Sequence, residues 1–167
     1  NIKNLGLTDY ENCWRAMKAH IESNPNVDEI WVTEHKPIYT TGLNKKNSEI
    51  PKSSIPHLYV DRGGKITFHG PGQKIFYFLI NLERNDLSIR QLVSGIEKSI
   101  LIFLKKKQII GALKKDAPGV YVNDKKIASI GLRLKKGFTY HGVSLNVDMN
   151  LKPFLDIDPC GYKGLKM

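Results

Sequence analysis

Cys160, in the turn-like stretch Ile157-Asp158-Pro159-Cys160-Gly161, is the best candidate nucleophile in this chain. Lys126, in the segment from Asn123 to Gly131, is a cation that could activate it. A proline before the cysteine and a glycine after it make the local backbone a turn. Asp158 would raise the pKa of a nearby thiol by like-charge repulsion, so a thiolate at neutral pH needs an offsetting positive charge. An ammonium about 4 Å from the sulfur, at an effective dielectric near 20, would supply roughly 4 kcal/mol, on the order of three pKa units. In bulk water the same pair is worth only about 1 kcal/mol, so the pair needs a partly desolvated pocket. Spacing alone leaves two readings of Cys160: an activated nucleophile, or an unreactive structural thiol. Lys126 is open in the same way. In phase with it along an extended segment lie Ala128, Ile130, Leu132 and Leu134, an apolar face. A lysine heading such a face either snorkels out at a sheet edge or points into a pocket.

A third segment runs Arg62-Gly63-Gly64-Lys65-Ile66-Thr67-Phe68-His69-Gly70-Pro71-Gly72-Gln73. His69-Gly70-Pro71-Gly72 cannot be helical, and Gly63-Gly64 allows close approach that a Cβ would forbid. It reads either as a backbone wall against an acyl chain, with Arg62 and His69 polar at its rim, or as two turns bracketing a short strand. Metal chemistry has little support, because the five histidines are scattered without ligand spacing. No phosphate-binding or dinucleotide glycine motif occurs.

The elements that must position these residues are legible from periodicity. Tyr10, Cys13, Trp14, Met17 and Ile21 recur at helical spacing, with Thr8 as expected cap and Glu11 completing a capping box. Cys13 is therefore a buried core residue. Ile30 and Val32 alternate with polar neighbours in a strand, residues 43 to 57 read as a surface loop, and Leu58 to Val60 as a second strand. Lys65 to His69 alternates, Ile66 and Phe68 facing one way, Thr67 and His69 the other. Ile75 to Leu82 is almost continuously apolar and reads as a strand buried on both faces. Ser88 and Gln91 cap a helix whose stripe is Ile89, Leu92, Val93, Ile96, Ile100, Phe103 and Leu104, and Lys105 to Lys107 suit its C-terminal dipole. Gly119 to Val122 and Lys126 to Leu134 flank Asn123-Asp124-Lys125 as a hairpin turn, and Phe138 to Val147 is a further strand, with His141, Val143, Leu145 and Val147 on one face. Two helices interspersed with strands predict one α+β domain over residues 1–167, a mixed, largely antiparallel sheet flanked by helices.

Of 167 residues, 26 are Lys or Arg and 16 Asp or Glu, giving a formal charge of +10 that implies an anionic partner. Lysine predominates and no basic-aromatic motif is present, so nucleic acid is not the expected partner. The two cysteines make no disulfide framework and fit a reducing compartment. The apolar run from Ile75 to Ile80 is far too short for a membrane span. No signal peptide opens the chain, so the expected location is the cytoplasm, with no membrane partner.

Taken together, Thr33-Glu34-His35 through Gly42, Arg62 through Gln73, Ala117-Pro118-Gly119-Val120-Tyr121-Val122, Lys126 through Gly131, His141 through Asn146 and Pro159-Cys160-Gly161 resemble the octanoyltransferase family. The resemblance implies that octanoate arrives as a thioester on acyl carrier protein, a small acidic protein. Cys160 takes it as an octanoyl thioester, and a lysine of a lipoyl domain of a 2-oxoacid dehydrogenase complex, or of glycine-cleavage H protein, accepts it as an amide. Lys126 resembles the family's cysteine-activating lysine. The acyl-binding segments fall on Arg62, Gly63, Gly64, Lys65, Ile66, Thr67, Phe68 and His69, on Ser129, Ile130 and Gly131, and on Gly142, Val143 and Ser144. Their backbone N–H groups are candidate oxyanion donors. Thioester exchange needs no ATP, and neither cofactor nor metal is expected. The family shares its fold with biotin and lipoate ligases. Its members usually continue beyond the cysteine motif further than Met167, so a truncated C-terminus is expected.

Two other readings make different predictions. An ATP-dependent ligase of the same fold would form an acyl-adenylate and would not need Cys160. A nucleic-acid binder would lose affinity steeply with salt.

Overall fold

The computed structural model describes residues 1–44, 49–115, 117–158 and 166–167. These form ten strands: β1 (Ile2–Thr8), β2 (Glu29–His35), β3 (Ile38–Thr41), β4 (His57–Tyr59), β5 (Ile66–His69), β6 (Gln73–Leu79), β7 (Ala112–Leu113), β8 (Val120–Val122), β9 (Lys125–Lys135) and β10 (Phe138–Asn146). Two α-helices, α1 (Tyr10–Glu22) and α2 (Ile89–Lys106), and a short 3-10 helix (Lys152–Asp156) complete the set. Seven strands make one sheet in the order β1-β2-β6-β10-β9-β8-β7, and β4-β3-β5 make a second. β1 pairs with β2 and β3 with β4 in parallel, and every other pairing is antiparallel. The architecture is the expected α+β arrangement with a mixed sheet.

Each helix covers one face of the large sheet. Cys13, Met17 and Ile21 of α1 pack on Trp31, Ile75, Tyr77, Leu79, Phe138 and Tyr140. Leu92, Ile96, Ile100 and Leu104 of α2 pack on Val120, Ala128, Val143 and Leu145. The Ser88–Gln91 capping box is present at the start of α2. The Asn123-Asp124 turn joining β8 to β9 holds both residues at positive φ, 48° and 62°, the two-residue hairpin geometry whose twist matches its strands. A third cluster, Tyr39, Ile66, Phe68, Phe154 and Ile157, ties the small sheet to the 3-10 helix.

Several local expectations need correction. The chain begins with a strand: Ile2, Leu5 and Leu7 are all exposed, and a register shift between Asn4 and Gly6 breaks the alternation that would have marked β1. Thr8 ends that strand, and α1 is capped by Asp9, whose carboxylate accepts from the Asn12 N–H at 3.3 Å. In β2 the buried residues are Glu29, Trp31, Thr33 and His35, with Ile30 and Val32 only half-buried. Polar residues take the inward face there because each finds a partner: Glu29 pairs with Lys3 at 2.7 Å and accepts from Trp31 Nε1 at 2.7 Å. β6 is closed on the α1 side by Ile75, Tyr77 and Leu79, while Phe76, Phe78 and Ile80 are half-buried beside α2.

Candidate active site

A slot opens where the 62–67 loop crosses the glycine face of the β9–β10 pair. On that pair Ser129 lies opposite Ser144 and Gly131 opposite Gly142. The Gly63 N–H donates to the Leu132 carbonyl at 3.1 Å, anchoring the loop on the ladder. An added Cβ on Gly42 would fall 2.4 Å from the Gly64 carbonyl oxygen and 2.7 Å from that of Arg62. The loop can curl over β3 only because residue 42 has no side chain. Arg62 is buried, and its guanidinium donates to the Thr40 carbonyl at 2.8 Å, to Thr40 Oγ1 at 2.9 Å and to the Gly63 carbonyl at 2.9 Å. The arginine clamps its own loop into shape.

Thirteen of the residues singled out from sequence line this slot: Arg62, Gly63, Gly64, Lys65, Ile66, Thr67, His69, Ser129, Ile130, Gly131, Gly142, Val143 and Ser144. Phe68 is not among them. Its ring packs against Tyr39 and Phe154, with centroids 5.4 and 5.6 Å apart. Arg62 and His69 are interior groups, 8% and 6% exposed, and not at a rim. His69 Nδ1 donates to Gln73 Oε1 at 2.7 Å, and burial, then electrostatic repulsion from the nearby His35 and Arg62, hold its imidazole well below the ordinary range.

Periodicity did not reveal Tyr10, Ile75, Tyr77 and His141, which also line the slot. His141 sits at φ +58°, a left-handed conformation rare for a residue with a side chain. The alternation of β10 breaks there, so Tyr140 and His141, consecutive in sequence, stack with ring centroids 4.9 Å apart and both reach Asp61. Tyr140 OH donates to the Asp61 carboxylate at 2.6 Å, His141 Nε2 at 2.9 Å and Trp14 Nε1 at 2.8 Å. Burial raises the Asp61 carboxyl, but the hydrogen bonds from His141 and Tyr140 outweigh it and leave the group below its ordinary range. With Nε2–H committed to Asp61, His141 keeps Nδ1 as an acceptor. Burial lowers its imidazole, and Asp61 offsets part of that. Among the described residues, Tyr10 OH, Thr67 Oγ1, Ser129 Oγ and His141 Nδ1 have no hydrogen-bond partner, so the slot carries four buried polar atoms able to meet a ligand or water.

Lys126 heads β9, three residues before Ser129, about 10 Å along the strand. It is 2% exposed, so it points inward rather than snorkelling to water. Its Nζ lies 5.7 Å from the centroid of the Tyr121 ring. It opens on a cavity of about 290 Å³ walled by Val122, Ile127, Val147, Met149, Leu151 and Met167 among others. The Lys126 N–H donates to the carbonyl of Lys166 at 2.9 Å. Cys160 lies outside the described residues. Lys166 and Asp158, which flank it in sequence, both border an adjoining cavity that shares Lys125, Leu151 and Met167 with the first. No cluster of three or more metal-ligating side chains is present among the described residues, and no helix there is long and apolar enough to cross a membrane.

Comparison with known proteins gives a consistent result. Residues 9–163 match the lipoyl protein ligase A/B catalytic domain family. The octanoyltransferase of Shewanella frigidimarina (strain NCIMB 400) is 49% identical over 170 residues, covering all of this chain and 79% of the relative. That of Shewanella oneidensis (strain MR-1) is 48% identical, covering all of this chain and 78% of the relative. Among solved structures, lipoate-protein ligase A bound with ATP superposes with a TM-score of 0.81 at 12% identity, covering all of this chain and 74% of the other. Biotin protein ligase from Aquifex aeolicus, in complex with biotin and ATP, superposes at 0.56 and 17% identity, covering 93% and 57%. At such identities these structures speak to the fold alone.

Proposed function

The chain belongs to the lipoyl protein ligase A/B catalytic domain family, and from that premise we propose the chemistry by which it moves an octanoyl group. Its activity is octanoyl transfer in protein lipoylation, an acyltransferase reaction. The Cys160 thiolate attacks the carbonyl carbon of octanoyl-acyl carrier protein. The carrier's carbon–sulfur bond breaks, its thiol leaves with a proton, and an octanoyl thioester remains on Cys160. The ε-amine of a lipoyl-domain lysine then attacks that thioester, an amide forms, and Cys160 is released.

Lys126 acts on both halves. As an ammonium it stabilises the thiolate. Once neutral, it takes the proton that the attacking amine must lose. The octanoyl chain lies in the slot beneath Gly63 and Gly64, against Ser129, Gly131, Gly142 and Ser144. Backbone N–H groups of these segments hold the developing oxyanion. The partners are acidic acyl carrier protein, complementary to a chain of charge +10, and the lipoyl domains of 2-oxoacid dehydrogenases and glycine-cleavage H protein. The chain works as one catalytic domain, and the cytoplasm is the compartment that suits its free-thiol chemistry.

One observation carries this reading: Lys126, 2% exposed, lies near the start of β9, the strand whose residues Ser129, Ile130 and Gly131 line the slot. A lysine held inside the protein at this end of β9 is in a partly desolvated setting, where an ammonium stabilises a nearby thiolate far more than it would in water. The hydrogen bond from the Lys126 N–H to the carbonyl of Lys166, a residue close after Cys160 in sequence, supports the pairing. Intact-mass analysis after mixing with octanoyl-acyl carrier protein should show one added octanoyl group, absent in Cys160→Ser. Full activity of Cys160→Ser would remove the covalent route and favour direct, ligase-like transfer.

A further inference from the structure

We propose that Gly119 and Glu97 are positioning residues for Lys126, forming a backbone strap that fixes where its ammonium sits. The inference rests on the reading of Lys126 as the activating cation. Gly119, immediately before β8, adopts φ +129°, a conformation that residues with a side chain rarely take. A Cβ built there would lie 2.6 Å from Lys126 Cε and 3.4 Å from its Nζ, and 2.4 Å from the Ala128 carbonyl oxygen. The space that any other residue would fill is therefore occupied by the stem of the lysine.

The same glycine is held from the opposite side. Its N–H donates to Glu97 Oε1 on α2 at 3.0 Å, a charge-assisted bond to the helix that covers this end of the sheet. Two residues further on, the Tyr121 ring stands 5.7 Å from Lys126 Nζ, and its hydroxyl donates to the Ala117 carbonyl at 3.0 Å. Lys114 Nζ faces the same ring at 4.6 Å. Among the described residues, the titratable groups on the elements packed around Lys126 include Glu97 from α2, Lys114 with its ion-pair partner Asp124, Tyr121 on β8 and Lys125 on β9. α2, the 117–121 backbone and the lysine stem form one mechanical unit.

Position matters because the ion-pair energy falls with distance. Letting the ammonium drift from about 4 to about 6 Å from a thiolate, at an effective dielectric near 20, gives up about one pKa unit. Loosening the strap should therefore move the thiol's titration upward even though no charge on Lys126 or Cys160 has changed.

The test uses the full chain and follows the pH dependence of Cys160 alkylation by iodoacetamide, read on the Cys160 peptide by mass spectrometry. The pH profile of octanoyl transfer and the thermal midpoint are recorded beside it. Glu97→Ala should shift both profiles alkaline by about one unit, whereas Glu97→Gln, whose amide oxygen still accepts from Gly119 N–H, should keep them in place. Gly119→Ala should shift them at least as far; if it does not fold, the two Glu97 variants still decide. An unchanged profile in folded Glu97→Ala overturns the proposal. So does an equal shift in Glu97→Ala and Glu97→Gln, which would assign the effect to the charge and not to the strap. Lys126→Met separates the two levels: no shift there sinks the activating role itself, while a shift there with none in Glu97→Ala sinks the strap alone.

Discussion

Gly131 and Gly63 approach so closely that a Cβ on Gly131 would lie 2.9 Å from the Gly63 carbonyl oxygen. That contact is between backbone and backbone, so no rotamer change can relieve it. The slot exists because both strand and loop lack side chains at the crossing. Gly131→Val should therefore lift the loop and fill the slot with methyl groups. We expect kcat/KM with octanoyl-acyl carrier protein to fall at least about tenfold, while iodoacetamide still alkylates Cys160 at the parent rate. Parent-like transfer kinetics would show that the acyl chain lies elsewhere.

Lys126→Ala removes the ammonium from a buried site. If it contributes on the order of three pKa units to the thiol, the thiolate fraction at pH 7 falls from nearly all to a few per cent, and the variant's acylation there should be roughly thirtyfold slower. Part of that loss should return as pH rises, because hydroxide then does the work of the missing cation. Single-turnover acylation measured from pH 6 to pH 10 checks this. A pH profile superposable on the parent's would dismiss Lys126 as the activating group.

How much of this was legible beforehand depended on whether local sequence controlled the outcome. The stripe of α2 and its Ser88–Gln91 box are local devices that appear where periodicity places them, and the hairpin expected at Asn123-Asp124-Lys125 appears with a two-residue Asn123-Asp124 turn, Lys125 already opening β9. The glycine loop and the 129–131 and 142–144 segments could be named from resemblance, yet their convergence on one slot is a product of strand pairing across the sheet. Asp61, Tyr140 and His141 escaped because a single left-handed residue breaks the alternation of β10, and nothing in a histidine's neighbours announces positive φ. β1 escaped because its apolar residues are exposed and its register shifts at Gly6, so it presents no buried face to read. The burial of Arg62 likewise follows from a partner, Thr40, that lies on another segment of the chain.

The buried histidines set the response to acid. His35 is 0% exposed, donates from Nδ1 to the Thr8 carbonyl at 3.3 Å and lies 2.6 Å from Tyr77 OH through Nε2. Burial lowers its imidazole to about 4, against 6.5 for the free group, with the Thr8 carbonyl opposing part of the shift. The unfolded chain therefore binds a proton that the folded chain refuses in that interval. Stability is complete above pH 6.5 and is lost as pH falls through the folded value near 4. His69 and His141 shift in the same direction and add to the loss. Denaturant midpoints taken from pH 7.5 to 4.5 should fall with a slope of up to about 1.4 kcal/mol per pH unit for each histidine. His35→Gln should flatten that slope, although it lowers stability at neutral pH. An equal slope in both proteins would mean that His35 is charged when folded.

Cys13 provides the contrast with Cys160. It is 5% exposed, on the face of α1 that packs against Trp31, Ile75 and Tyr77, and burial pushes its thiol up to about 11. A neutral, enclosed thiol is neither nucleophilic nor reachable at pH 7. Serine there would put a hydroxyl into an apolar cluster at a cost of about 1–3 kcal/mol. Cys13→Ser should therefore melt several degrees lower yet still take up one octanoyl group, with kcat/KM within about twofold of the parent. Intact-mass spectrometry of the two single cysteine variants reads the answer directly. If the octanoyl adduct vanished in Cys13→Ser and persisted in Cys160→Ser, the nucleophile would be the helix residue, and the slot against β9 and β10 would have no claim on the acyl chain.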